Sequence, residues 1–153
     1  MAKRVPDHMR RVTPHLTVRN GAEMIEFYKK AFGAVEMGRA PGPDGKTIMH
    51  ATLKIGDSIV FLNDEFPEMG AQSPLAFKGS PVTIHLMVED ADKQFAQALA
   101  AGAEVVMPLA DQFWGDRYGI VKDPSGHQWS IAHHVEDLTP EQIKERMGKA
   151  MCG

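Results

Sequence analysis

The same short pattern occurs twice in the chain, and this repeat constrains the fold more than any other feature. Residues 13–18 are TPHLTV and residues 83–88 are TIHLMV, so Thr, His, Leu and Val recur in one order. Both copies have the alternating pattern of a half-buried strand. An amphipathic segment follows each copy, and it lies between a residue type that begins helices (Asn20, Asp90) and one that ends them (Gly33, Gly102). The sequence therefore predicts two related units.

Three strand-like segments follow each predicted helix, so both units have the order strand, helix, strand, strand, strand. The predicted boundaries are an extension at 1–11, a single domain at 12–137, and a helix with a tail at 138–153. Within the domain we expect a first module at 12–64, a linker at 65–81 and a second module at 82–137. The sequence Thr139-Pro140-Glu141-Gln142 is a capping box with proline at the first helical position, and it predicts where the last helix begins.

The composition is that of one globular domain. The 153 residues carry a formal net charge of −3, and basic residues are interspersed with acidic ones. This pattern argues against nucleic acid or a membrane surface as the main partner. No apolar run approaches the roughly 18 residues that span a bilayer, and the first residues lack a signal peptide, so we expect a cytoplasmic protein. Cys152 is the single cysteine, which excludes an internal disulfide and disfavours a cysteine nucleophile.

Side-chain alternation along the strands predicts which residues share a face. In the first copy His15 lies opposite Leu16 and Val18, and in the second copy His85 lies opposite Ile84 and Leu86. The apolar faces must cover the helices, so both histidines are expected on the other face. The same alternation assigns to that polar face His50, Thr52, Gln128, Ser130, Ala132 and His134, and to the apolar face Met49, Ala51, Leu53, Ile55, Trp129 and Ile131. We expect His15, His50, His85 and His134 to converge.

Longer segments resemble a known family. They are TPHLTV, EFYKKAFGA, IMHATLKIGDSIVFLNDEFPE, GSPVTIHLMVEDAD, AAGAEVVMP and DQFWGDRYGIVKDPSGHQWSIAHHVED. Together they resemble the vicinal oxygen chelate (VOC) superfamily of glyoxalase I, bleomycin-resistance proteins, fosfomycin-resistance enzymes and extradiol dioxygenases, and most of all its PhnB-like glyoxalase branch. The resemblance implies an α+β fold in which two paired βαβββ modules form a curved mixed sheet with the helices outside. It also implies a homodimer that completes a cleft.

The resemblance further implies a divalent metal site, holding Zn, Ni, Mn, Fe or Co. The positions that bind metal in active family members fall on Thr13, Phe61, Thr83 and Ser130 of this chain, and none is a good ligand. Histidines follow two residues later in both first strands. A displaced metal site would use His15, His85, His50 and His134. The alternative is that no metal is bound.

Other residues are candidates for catalysis or ligand binding. Asp64 and Glu65 could act with His15 and His85 in proton transfer, or they could simply begin the solvated linker. The segment FWGDRYG offers Trp114 for stacking and Asp116 and Arg117 for contacts with a planar or charged ligand. Its alternative role is structural, with Trp114 filling a core gap and the two charges paired. The predicted ligand-binding set also includes Phe61, His50 and Ser130.

Two functions follow from the sequence. The leading one is a glyoxalase-like enzyme in which a metal stabilises an enediolate or oxyanion during lyase or isomerase chemistry on a small molecule. The alternative is a metal-free binding protein of the bleomycin-resistance type, which traps a planar cationic compound with Trp114, Phe61 and acidic residues. The poor ligands at the family's metal positions favour the binding protein, whereas the four histidines favour the enzyme.

Overall fold

Two modules of the same order confirm the predicted fold class. The computed structural model describes residues 1–152. The first module consists of β1 (His15–Val18), α1 (Gly21–Phe32), β2 (Val35–Pro41), β3 (Ile48–Ile55) and β4 (Ser58–Asp64). The linker contains a 3-10 turn (Pro67–Met69) and the one-turn helix α2 (Pro74–Phe77). The second module consists of β5 (Thr83–Met87), α3 (Ala91–Ala101), β6 (Glu104–Asp111), β7 (Asp116–Lys122) and β8 (Gln128–His134).

Each module forms its own four-stranded mixed sheet, in the order β1-β4-β3-β2 and β5-β8-β7-β6. The first strand of each module runs parallel to the last, and the other neighbours are antiparallel. The register places His15 beside Phe61 in the first sheet and His85 beside Ser130 in the second. The repeated histidines therefore occupy equivalent positions in the two sheets.

The two modules share one hydrophobic core, which lies on the helix-bearing sides of the sheets. Helices α1 and α3 pack against each other, and the Gln94 side chain donates to the Ala31 carbonyl at 2.6 Å. The fully buried Trp129 of β8 contacts Phe32 and Tyr28 of α1, with ring centroids 4.7 and 5.5 Å apart. The opposite faces of both sheets, which we call the cleft faces, therefore lie away from this core.

A buried carboxylate joins the modules at the predicted turn between β7 and β8. Asp123 is 2% exposed. Its Oδ2 accepts hydrogen bonds from the Tyr28 hydroxyl at 2.6 Å and from Trp129 Nε1 at 2.9 Å. Its Oδ1 accepts from the backbone N–H groups of Ser125 and His127 at 2.9 and 3.1 Å. Four donors therefore satisfy both oxygens of this buried side chain, and one of them, Tyr28, comes from the other module.

One local expectation for the first module was confirmed only in part, and another was wrong. Asn20 occupies the N-cap position of α1 in a left-handed conformation, but its side chain does not cap the helix. Asp64 takes that role, because its carboxylate accepts from Gly21 N at 2.6 Å. Met49 was placed on the apolar face, yet it is 40% exposed while Ile48 is 1% exposed. A register shift in the β2–β3 pairing reverses the alternation there.

The last helix, α4 (Pro140–Cys152), begins at the predicted capping box. Gln142 N donates to Thr139 Oγ1 at 3.2 Å, and Thr139 N donates to Gln142 Oε1 at 2.9 Å. None of the residues 140–152 is buried. In the described part of the chain, no helix has the length and apolar character needed to cross a membrane.

Candidate functional site

The cleft face of the first sheet carries a cluster of two imidazoles and one phenyl ring. His15 of β1 lies beside Phe61 of β4, with ring centroids 5.7 Å apart. His50 of β3 is 5.8 Å from His15 and 4.8 Å from Phe61 by ring centroid. His50 Nε2 is 3.3 Å from Thr52 Oγ1. The predicted face of both histidines is confirmed, because Leu16 and Ala51 on the opposite face are buried.

The cleft face of the second sheet carries a longer row of rings. His85 Nδ1 lies 2.7 Å from the hydroxyl of Ser130, which is 1% exposed. The His85 ring stacks on Tyr118 of β7 at a centroid distance of 5.8 Å. Tyr118 contacts Trp114 at 5.3 Å, and Trp114 contacts Phe113 at 5.0 Å. These four rings contact one another in series, and we call them the ring row.

A carboxylate lies at the Trp114 end of the ring row. Asp116 Oδ2 accepts from Trp114 Nε1 at 3.1 Å, and Asp116 Oδ1 lies 2.9 Å from His134 Nδ1. His134 Nε2 lies 2.8 Å from Asp137 Oδ1. The protonated form of His134 has a donor on each ring nitrogen, so it can donate to both carboxylates at once. Asp116, followed by Asp137, accordingly raises the pKa of His134 above its ordinary value.

Arg117 was predicted to contact a ligand, but strand alternation places it on the face opposite Asp116 and Tyr118. Its guanidinium donates two hydrogen bonds of 2.8 Å to Asp92 in the first turn of α3 and one of 3.1 Å to Asp111. These carboxylates raise the pKa of Arg117. Arg117 therefore fixes α3 against its own sheet and does not face the ring row.

The predicted catalytic carboxylates both have partners of their own, Asp64 on the helix side of β4 and Glu65 just after the end of β4. Along β4, Phe61 and Asn63 share the cleft face, so Asp64 lies on the helix side. There its oxygens accept hydrogen bonds from Gly21 N and Ile48 N. Glu65 forms an ion pair with Arg19, and this guanidinium lowers the pKa of the Glu65 carboxyl. Both carboxylates have structural partners, so the prediction of a general base at these positions does not agree with the structure.

The four predicted metal ligands do not converge within one chain. His15 and His50 belong to the first sheet, whereas His85 and His134 belong to the second. Among residues 1–152 no group of three or more His, Cys, Asp or Glu side chains is arranged to hold a metal ion. Both ring nitrogens of His134 lie within hydrogen-bond distance of carboxylates. The donors of a single chain therefore do not fit a mononuclear metal, which needs three or four ligands at about 2.0–2.2 Å.

Sequence reasoning did not assign two residues that the structure adds to the site. Tyr118 links His85 to Trp114 in the ring row, and Met87 Sδ lies 3.1 Å from His85 Nε2. A usable signal was present for both. Tyr118 follows Asp116 by two positions in β7, and Met87 follows His85 by two positions in β5, so alternation places each pair on one face.

Comparison with known proteins gives the family. The sequence pattern of the Glyoxalase/Bleomycin resistance protein/Dioxygenase superfamily matches residues 6–131. The chain belongs to this superfamily.

Relatives extend over most of the chain. An uncharacterized protein of Mycobacterium tuberculosis strain H37Rv is 52% identical over 139 residues, which is 89% of this chain and 81% of that protein. An X-ray structure of an Arabidopsis thaliana gene product is 29% identical, with a TM-score of 0.66, and the match covers 81% of this chain and 98% of that one. The crystal structure of TioX from Micromonospora sp. ML1 is 27% identical, with a TM-score of 0.63, and the match covers 85% and 100% of the two chains.

Proposed function

We propose that this chain binds a planar, cationic small molecule on the cleft face of the second sheet. The ring row carries the proposal, since three adjoining rings, His85, Tyr118 and Trp114, lead to the carboxylate of Asp116. Stacking on such rings contributes about 0.5–1.5 kcal/mol per pair beyond the area buried, and a cation over an aromatic face adds to this. A flat ligand with a positive group matches both features.

We further propose that a homodimer closes this site. Met87, at the edge of the ring row, is 58% exposed, which leaves the cleft face of the second sheet open to solvent in one chain. The cleft face of the first sheet offers His15, His50 and Phe61 as the opposing wall. The sequence segments quoted above resemble the PhnB-like branch of the superfamily, and this supports assigning the chain to that branch. A chain that is monomeric by sedimentation equilibrium would contradict a composite site.

The binding proposal is tested with proflavine, a planar aromatic cation, by isothermal titration calorimetry. Trp114→Ala should weaken binding about tenfold, because stacking on one aromatic side chain contributes about 1–3 kcal/mol. Asp116→Asn should weaken binding of proflavine but leave the neutral analogue acridone unaffected, because only the cation interacts with the charge. Asp111→Asn, a control at the end of β6 whose carboxylate pairs with Arg117, should change neither affinity. Equal binding by all four proteins would refute the proposal.

The second candidate is a metal-dependent, glyoxalase-like enzyme whose ligands come from two chains. The observation that favours it is the shared register, in which His15 and His85 lie beside the last-strand positions Phe61 and Ser130. Metal analysis of untagged protein, with thermal shifts on adding Ni, Zn, Mn, Fe or Co, separates the two functions. A metal present at 100 times its dissociation constant adds about 2.7 kcal/mol to the free energy of unfolding. A stabilising shift that is lost in His15→Ala and His85→Ala would favour the enzyme.

A further inference from the structure

The rings of His85 and Tyr118 meet above a strand that lies between them. His85 is on β5 and Tyr118 is on β7, and β8 separates these two strands in the sheet. Neighbouring strands are about 4.8 Å apart, so the backbones of β5 and β7 are about 10 Å apart. The two ring centroids are 5.8 Å apart, and the ring planes are inclined by 22°. Both side chains therefore lean over β8.

Strand β8 leaves room for this arrangement, because its cleft face carries small side chains at these positions. Ser130 lies beside His85 in the parallel pairing, and Ala132 lies beside Tyr118 in the antiparallel pairing. Ser130 is 1% exposed and Ala132 is 0% exposed, whereas His85 is exposed. Ser130 was predicted to bind ligand, but it lies beneath the ring row, where its hydroxyl contacts His85.

Both ring nitrogens of His85 have partners within the chain. Nδ1 lies 2.7 Å from the Ser130 hydroxyl, and Nε2 lies 3.1 Å from Met87 Sδ. A thioether accepts hydrogen bonds and a hydroxyl donates or accepts them, so both contacts can form in the neutral and in the protonated ring. The face of the His85 ring, rather than a free nitrogen, is therefore what this side chain offers to a ligand.

We propose that Ser130 is a positioning residue of the ligand site, whose hydroxyl holds the His85 ring over β8 so that it stacks on Tyr118 and extends the ring row. This inference rests on the proposed function. Ser130 is a fixed anchor, because it is buried on a strand with a neighbour on each side, whereas Met87 is 58% exposed. Without the hydroxyl, an exposed imidazole on an edge strand gains rotational freedom. A ligand that stacks on His85 must then order the ring, which weakens binding.

Nuclear magnetic resonance of the ligand-free protein tests the position of the ring. We expect a nuclear Overhauser effect (NOE) between ring protons of His85 and Tyr118 in the wild type, and we expect Ser130→Ala to lose it. The backbone NOE between Gly119 and Ile131, which pair across β7 and β8, should persist in both proteins, because the substitution leaves the sheet intact. A ring NOE of equal strength in both proteins, or its absence from the wild type, would overturn the proposal.

A double-mutant cycle with proflavine tests the effect on the ligand. Ser130→Ala should weaken binding about two- to tenfold, the range that ordering one side chain supplies. In the His85→Phe background the same substitution should have no further effect, because a phenyl ring makes no hydrogen bond to Ser130. Ser58→Ala is the matched control, since its hydroxyl is exposed and donates to Asp57, and it should bind proflavine like the wild type.

The outcomes separate this proposal from the proposed function. An equal loss of affinity from Ser130→Ala in both backgrounds, or no loss in the wild-type background, would overturn the positioning role and leave the proposed function standing. If the wild type did not bind proflavine, the proposed function would fail, and the ring NOE alone would decide whether Ser130 positions His85.

Discussion

Replacing Asp123 with alanine should destabilise the whole protein, because this carboxylate joins both modules inside the shared core. The substitution removes the acceptor for the Tyr28 hydroxyl and for Trp129 Nε1, and both donors stay buried. Each orphaned buried donor costs about 1–3 kcal/mol. Two backbone N–H groups of the turn lose their acceptor as well. We expect the free energy of unfolding to fall by about 3–5 kcal/mol.

Urea unfolding followed by circular dichroism measures this loss. With a slope of about 2 kcal/mol per molar urea, the midpoint should fall by about 2 M. Tyr28→Phe removes one donor and leaves three, so its loss should be smaller, about 1 kcal/mol. Asp7→Ala is the surface control, because its pair with Lys3 is exposed and its effect should stay within about 0.5 kcal/mol. A loss below about 1 kcal/mol in Asp123→Ala would refute the account of the core.

Three further predictions concern other parts of the chain. Gly119→Ala should lower the free energy of unfolding by about 1–3 kcal/mol, measured by thermal denaturation. The added Cβ would lie 2.8 Å from Phe95 Cε2 and 2.9 Å from the Leu109 backbone. An unchanged melting temperature would contradict this close packing. Asp64→Ala should cost about 1–3 kcal/mol in urea unfolding, because Gly21 N and Ile48 N lose their acceptor, and a neutral effect would show that water replaces the carboxylate. The pKa of His134, followed by NMR, should lie above 6.5 and fall in Asp116→Asn. The contacts of His134 with Asp116 and Asp137 should therefore stabilise the fold fully just below pH 6.5, and this stabilisation should be lost as pH rises through the raised pKa. A pKa at or below 6.5 would contradict this account.

Most of the fold was predictable because the chain is locally consistent. The repeated strands, the helix ends at Gly33 and Gly102, and the capping box at Thr139 are each specified by a few neighbouring residues. The cleft positions of His15 and His85 followed from alternation alone. Alternation failed at Met49, because a register shift depends on the neighbouring strand β2 and leaves no local signal.

The candidate site was less predictable, because it depends on contacts between distant segments. The N-terminus of α1 is capped by Asp64 from β4, which no pattern around Asn20 reveals. Arg117 was misplaced because the whole FWGDRYG segment was treated as one surface, although its alternate residues face opposite sides of β7. Convergence of the histidines depends on how the modules pack, and they pack through their helices.

The contacts around Asp123 mean that the two halves of the chain are no longer interchangeable. The β3–β4 turn of the first module, Ile55-Gly56-Asp57-Ser58, is short and exposed at its centre, whereas the β7–β8 turn of the second is held inside the core through Tyr28. Two copies of the first half, brought together in the same arrangement, would lack an acceptor for the Tyr28 hydroxyl. If the chain arose by internal duplication, its present core requires one copy of each half. A chain made of two first halves, or of two second halves, should therefore fail to form this core.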